Sequence, residues 1–414
     1  MRFALAVAGL CLAAAPGLAF GPDTSIRPKP RAVSMTVEAS VSNISFERWL
    51  GEFRGRAQNQ GIAPGVIDAA FAEMRYMTGV IEKDRNQSEF TKQIWDYLGT
   101  AVSDARVSNG QAALRQNADT LAQIEARYGV EAEVVTAIWG LESAYGAFRG
   151  STPVVPALAT LAFDGRRGAF FEAQLVAALQ ILQSGDTAPS QMTGSWAGAM
   201  GHTQFMPTSY LDHAQDFTGD GRRDIWSDDP TDALASTAAY LAHFGWTRGQ
   251  PWGLEVQLPD GFDYAQSGER VKKPVADWLA QGVRDTSGKT IPEHGRASIL
   301  LPAGARGAAF MIFDNFHVLE RYNTADAYVI GVGHLSDRIA GGPPLQASWP
   351  VEDRNLRVSE KQEMQERLTQ AGFDTDGIDG IIGPNTIQAI REFQASVGLI
   401  PDGYASFEIL RRLR

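Results

Sequence analysis

The sequence predicts a mainly α protein with some β structure (α+β), ending in a small three-helix domain. Three observations carry that expectation. From Phe46 to about Ala242, apolar residues recur at three- and four-residue spacing, as on amphipathic helices. Between Trp252 and Phe313 the pattern changes to strand-like runs, "WGLEVQL" and "ASILLPAGARGAAFMIF", broken by Pro and Gly. After a proline-rich stretch, residues 356–414 carry three short helical patterns around one Gly/Asp loop.

In chain order, the first element is a targeting segment. "MRFALAVAGLCLAAAPGLAF" has Arg2, then an apolar run from Phe3 to Ala15 that is too short to span a bilayer, then small residues at Gly17 and Ala19. Residues 1–20 read as a signal peptide, which implies export and a periplasmic location. Cys11, the only cysteine, lies inside it, so the exported chain relies on its core rather than on disulfides. Residues 21–43, rich in Pro, Ser and Arg, read as a flexible lead-in.

Residues 44–341 are read as one domain. "FERWLGEFRGRAQNQGI", "TLAQIEARYGVEAEVVTAIWGLESAYG" and "GRRGAFFEAQLVAALQILQSG" are amphipathic helices, the last ended by Gly185. Helical pattern returns after the strand-like runs in "FHVLERYNTADAYVIGVGHLSDRIAGG". Residues 342–355, with their prolines and no periodicity, read as a linker. In the last domain Ser359 is placed as an N-cap with Glu363 nearby. Pro384 opens the second helix, and "SFEILRRL" is the third.

The composition narrows the function. The 414 residues carry a net charge of -11 and no basic block beyond "RRLR", which argues against nucleic acid as a partner. The six histidines show no metal spacing, and there is no nucleophile elbow or Walker loop.

Four stretches carry chemistry. In "VVTAIWGLESAYG", Glu142 follows Val135 and Ile138 on an apolar helix face. Desolvation raises a carboxyl pKa, as a general acid requires, although a structural ion pair would place a Glu there as well. "GSWAGAMGHTQFMPTSY" combines glycines, aromatics and an amide, as a sugar groove or a tight helical packing site would. "DFTGDGRRDIWSDDPTD" starts like a calcium loop at Asp216, Thr218 and Asp220, but has Ser227 where a bidentate Glu is standard. An acidic surface turn is the other reading. "YNTADAY" offers two tyrosines and Asn323 to a cleft.

In order and spacing, these stretches and "GVGHLSDRI" resemble the lytic murein transglycosylase B family, glycoside hydrolase family 103. "GIDGIIGPNTIQAIREFQASVGLIPDG" resembles the common three-helix peptidoglycan-binding domain. The resemblance implies a lysozyme-like domain that cleaves the β-1,4 bond between N-acetylmuramic acid and N-acetylglucosamine without water, leaving a 1,6-anhydro ring. It implies Glu142 as acid and then base, and Ser195, Gln204, Tyr240, Tyr322, Asn323, Tyr328 and Tyr97 as cleft residues. It also implies a structural calcium ion on Asp216, Thr218, Asp220, the Arg222 carbonyl and Asp232, with extra residues before Asp232. No cofactor is required, the partner is the glycan strand, with cell-wall remodelling proteins as further partners, and the chain is expected to be a monomer. A water-using muramidase and a non-catalytic wall-binding scaffold are the competing readings.

Overall fold

The computed structural model describes residues 33–85 and 92–414. The expected signal peptide lies outside the described residues, as does most of the lead-in. By contacts the chain divides into Met1–Ser45 and Phe46–Arg414.

The first helix, α1 (Val33–Asn59), begins eleven residues before the expected domain start at residue 44. Residues 33–43 are therefore helical where a flexible lead-in was expected. Pro22, Pro28 and Pro30 all lie upstream, and neither Pro nor Gly occurs between Arg31 and Gly51, so nothing in the sequence stops the helix from extending backward.

A helical body follows. It contains α2 (Pro64–Phe71), α3 (Thr78–Arg85), α4 (Ile94–Ala101), α5 (Asp104–Gln116), α6 (Ala118–Tyr128) and α7 (Ala132–Ser143). The short strand β1 (Thr152–Pro153) precedes α8 (Val154–Asp164) and α9 (Gly168–Ser184), and β2 (Thr193–Gly194) precedes α10 (Pro207–His213) and α11 (Thr231–His243). Gly185 ends α9 in the left-handed conformation, as expected. Val135, Ala137 and Ile138 of α7 are wholly buried, so this helix runs through the core instead of lying on it.

The strand-like region forms a five-stranded antiparallel sheet in the order β4-β6-β7-β3-β5. Its members are β3 (Gly253–Gln257), β4 (Lys273–Pro274), β5 (Arg284–Asp285), β6 (Arg296–Leu300) and β7 (Ala309–Ile312), with α12 (Val275–Ala280) after β4. The alternation of side chains explains why β7 reads as a continuous apolar run. Phe310 and Ile312 join the main helical core, while Ala309 and Met311 face a second core around Trp278, Val275 and Val283. The chain then returns to the helical body as α13 (Asp314–Tyr322) and α14 (Asp326–Ile339).

The final module contains α15 (Val358–Gln370), α16 (Pro384–Ser396) and α17 (Phe407–Leu413) around Met364, Leu368, Ile390 and Leu410. Pro384 opens α16, and the Ser406 hydroxyl accepts from Ile409 N at 3.2 Å at the start of α17. The expected Ser359 cap is not observed. Arg357 N instead donates to the Glu360 carboxylate at 2.9 Å, which moves the helix start upstream of Ser359, and Glu363 pairs with Arg367 and Arg414.

Residues 342–355 form neither helix nor strand, but they are tied down. Glu255 accepts from Gln346 N at 2.8 Å and Ala347 N at 2.7 Å, and Trp349 lies 6.2 Å from Trp95, centroid to centroid. The final module itself contacts the sheet region. Ala305 N donates to Asp402 at 2.8 Å, and Arg391 donates to the Ser267 hydroxyl at 3.0 Å.

Asp337 on α14 gives the fold a pH dependence. The residue is partly open to solvent, but the crowding of protein around its carboxyl pushes that group up to about 7, against the partial help of Trp252 Nε1, which donates to it at 3.0 Å. The folded value lies above the unfolded one, so this group is compatible with the fold at low pH and costs stability as pH rises through 7. Asp337→Asn is expected to raise the melting temperature modestly at pH 8, by about 1 kcal/mol at most because solvent screens the exposed part of the side chain, and to change it little at pH 4. Thermal melts across that range check this.

Candidate active site

Glu142 stands on the last turn of α7, half-buried. α14 packs along α7 and brings Tyr328 to it. The Tyr328 hydroxyl donates to Glu142 Oε1 at 2.6 Å. Tyr322, at the end of α13, donates to the Thr203 carbonyl at 2.6 Å. Burial pushes both phenols well above their usual range, and the negative charge of Glu142 adds to this. Both therefore remain protonated donors. Glu142 is the one carboxylate among the leading influences on either tyrosine.

Two more predicted residues complete this wall. Tyr240 of α11 has its ring 5.1 Å from that of Tyr322 and donates to the Arg321 carbonyl at 2.5 Å. Tyr97 of α4 acts electrostatically on Tyr328 and lies against Gly331 of α14, where a Cβ would come within 3.0 Å of its ring. Gly331 thus sets how closely α4 approaches α14.

The chain just after Glu142 is held in an uncommon conformation. Ala144 and Tyr145 have φ of 50° and 59°, which costs L side chains energy unless the surroundings hold them. Several bonds do so. Tyr145 donates to the Arg106 carbonyl at 2.8 Å, and Arg106 donates to the Gly140 carbonyl. The Ser143 hydroxyl donates to the His202 carbonyl at 2.5 Å and accepts from Gly146 N at 2.9 Å. These bonds end α7 sharply and fix Glu142 at its tip.

His202 ties that tip to the glycine-rich loop. Its Nδ1 accepts from Trp139 Nε1 at 3.1 Å, so Nε2 carries the proton toward the Ser227 carbonyl, 2.8 Å away. Burial lowers its pKa, in keeping with a neutral ring. In the loop, Ala199 N donates to Ser195 Oγ at 3.0 Å. Gln204, at φ 55°, donates to the Gly201 and Arg149 carbonyls at 2.8 and 3.1 Å. Ser195 and Gln204 therefore brace the loop, which meets the tyrosine wall through Thr203 and Phe205. Gly150 makes the close crossing possible, since a Cβ there would lie 2.2 Å from the Gly194 backbone.

Asn323 is not drawn into the wall. It is exposed and accepts from Ala325 N at 3.0 Å, shaping the turn between α13 and α14. His202, Ser143, Arg106, Tyr145 and Arg149 were not singled out from the sequence. Ser143, Tyr145 and His202 stood inside quoted motifs, but only their partners distant in sequence give them a role.

At the acidic loop, Asp216 accepts from Gly219 N, Asp220 N and Gly221 N at 2.7–3.2 Å. Asp232 is buried and accepts from Phe217 N, Thr218 N and Asp224 N at 2.9–3.0 Å. Burial, helped by the charge of Asp216, raises the Asp232 pKa. An all-oxygen set with two carboxylates in mutual repulsion suits a hard cation. Among the described residues, the three side chains whose ligand atoms lie within 4.8 Å of one another are Glu269, His317 and Glu320, and the acidic loop forms no such cluster by its side chains alone. The cluster of three joins a loop to α13, so no sequence spacing announces it.

Residues 45–337 match the family model of the transglycosylase SLT domain. The chain belongs to that family. Residues 357–413 match a peptidoglycan binding domain. The chain is 33% identical over 251 residues to the membrane-bound lytic murein transglycosylase B of Escherichia coli, an alignment spanning 59% of this chain and 66% of that relative. SltB3 from Pseudomonas aeruginosa, solved with NAG-NAM-pentapeptide and with NAG-anhNAM-pentapeptide, is 48% identical with a TM-score of 0.86 over 89% of this chain and 99% of that one. The Escherichia coli lytic transglycosylase SLT35, solved with calcium, is 28% identical with a TM-score of 0.61 over 72% and 93% of the two chains.

In this transglycosylase domain, Tyr328→Phe removes one donor from Glu142 and leaves the ring in place. A hydrogen bond to a charged group contributes about 1.5–3 kcal/mol, so turnover is expected to fall about 10- to 100-fold with KM little changed. Steady-state kinetics on soluble glycan strands, with a thermal melt to confirm folding, test this.

Proposed function

We propose that the protein is a periplasmic lytic transglycosylase that cleaves the β-1,4 bond between N-acetylmuramic acid and N-acetylglucosamine, forming 1,6-anhydromuramic acid. The observation that carries this is the single carboxylate, Glu142, set among protonated tyrosines and bonded to one of them. Hydrolytic glycosidases ordinarily use two carboxyl groups. One suffices when the nucleophile is the substrate's own 6-hydroxyl.

Glu142 first gives a proton to the leaving glycosidic oxygen. The muramyl acetamido oxygen stabilises the developing positive charge at the anomeric carbon. Glu142, now ionised, takes the proton of the 6-hydroxyl as that oxygen closes on the anomeric carbon. The Tyr328 hydroxyl holds the carboxylate through both steps, and its donation favours the ionised form that the second step needs. Tyr322 and Tyr240 present rings for sugar faces. The Gln204 amide oxygen takes no hydrogen bond from another described residue and remains for a sugar N–H or hydroxyl. Ser195 contributes by shaping the loop.

The acidic loop takes a structural calcium ion on Asp216, Thr218, Asp220, the Arg222 carbonyl and Asp232. The ion supplies charge compensation for Asp216 and Asp232. No other cofactor is needed. No helix among the described residues is long and apolar enough to cross a membrane, so export rests on the N-terminal targeting segment. The partner is the glycan strand, and the protein works as a monomer within the wall-remodelling machinery.

Glu142→Gln is expected to abolish release of soluble muropeptides from sacculi while leaving the melting temperature unchanged. Wild-type products should carry anhydro ends by mass spectrometry; reducing ends, heavier by one water, would show a hydrolase instead. Added calcium should raise the melting temperature of the wild type, and Asp216→Asn should remove that gain, as read by scanning calorimetry with and without chelator.

A further inference from the structure

A cavity of about 750 Å³ lies between the final module and the catalytic body. Three parts of the chain line it. Ile94, Asp326 and Ala327 come from the helical body, Glu269, Arg270 and Leu301 from the sheet region, and Lys361, Ile387, Arg391 and Tyr404 from the final module. Ile94 opens α4, which carries Tyr97, and Asp326 and Ala327 open α14, which carries Tyr328. The helix that brings Tyr328 to Glu142 and the helix that brings Tyr97 to Tyr328 thus begin at this cavity.

The lining is rich in cations. Lys92, Arg270, Arg354, Lys361 and Arg391 face three carboxylates, Glu269, Asp326 and Asp402. The carboxylates are weak opponents. Asp402 is engaged by Gln394 Nε2, Tyr404 N and Ala305 N at 2.7–2.9 Å. Glu269 is clustered with His317 and Glu320. Of the cations, only Arg354 has an ion-pair partner among the described residues, Glu360 at 2.6 Å. Arg391 reaches Ser267 with one nitrogen, but its buried Nε has no partner. Unpaired cations and an orphaned buried guanidinium donor beside a cleft call for an anionic ligand.

We infer that this cavity binds the carboxylates of the peptide stem carried by the muramyl lactyl group, with Arg270, Lys361 and Arg391 as the contacts. The inference rests on the peptidoglycan substrate proposed above and adds a peptide subsite to it. The glycan backbone between these peptides is neutral, so the stem is where the substrate's carboxylates are. The final module then forms one wall of the substrate site, in addition to holding the enzyme on the cell wall.

The test uses the full chain and the variants Lys361→Glu and Arg270→Glu. Neither residue makes a hydrogen bond or ion pair whose loss would threaten the fold, and thermal melts confirm folding. Two substrates are compared, peptide-bearing glycan strands and the same strands stripped of peptides by an amidase. The variants should lose about tenfold in kcat/KM on the peptide-bearing strands and retain wild-type values on the stripped ones. Equal loss on both substrates, or no loss on either, overturns the inference. Binding of soluble NAG-NAM-pentapeptide, followed by calorimetry, separates it from the catalytic assignment. Wild-type binding weakened about tenfold in the variants upholds the peptide subsite even if the products prove to be hydrolytic. Unchanged binding in the variants overturns it even if anhydro products form.

Discussion

The bond from the Tyr328 hydroxyl to Glu142 joins the tip of α7 to the middle of the active-site wall, and the other features of the site can be ordered around it. A carboxylate at the end of a buried helix needs a partner, because desolvating an ionised group alone is costly. The Tyr328 phenol, kept protonated by burial, is one such partner and orients the Glu142 carboxylate. α14 must therefore sit close to α7 and α4, which makes the absence of a side chain at Gly331 a structural requirement.

The same bond requires α7 to stop abruptly. Were the helix to continue past Ser143, Glu142 would lie mid-helix. The left-handed residues Ala144 and Tyr145 turn the chain away, and contacts from distant segments hold them there: the Arg106 carbonyl, the His202 carbonyl and the Trp139–His202 pair. The strain is local, and the restraint is spread over α5, α7 and the glycine-rich loop. That loop is braced by Ser195 and Gln204, so residues that read as sugar contacts by resemblance act first as supports for Thr203 and Phe205. Preorganisation of this kind is what the two-step role proposed for Glu142 requires, since the carboxylate need not be repositioned between the steps.

The sheet and the final module enlarge the site without supplying its acid. With one face of β7 in the helical core and the other against Trp278, the sheet is fixed to the catalytic body. The tied segment 342–355 and the contacts at Asp402 and Arg391 then place the final module beside the starts of α4 and α14. The module there helps to line a charged cavity. The covalent connection alone would not produce this; Glu255, Trp349 and Ser267 do.

The sequence by itself determined the helical class, the strand-bearing region, the three-helix end and the placing of Glu142 near the end of an apolar helix. It did so because amphipathic spacing and a dense set of motif residues are local properties of the chain. It also marked Tyr240, Tyr322 and Tyr328. It missed the helical start at Val33, where the lack of periodicity hid a stretch with no helix breaker. It misplaced the cap at Ser359, where the reach of Glu360 decided the helix start. Only the tertiary structure decided that Asn323 shapes a turn, that His202 links Trp139 to the Ser227 carbonyl, and that the final module walls a cavity. The last two depend on partners 25 to 124 residues away, and a hydrogen bond across that separation leaves no periodic trace in the sequence.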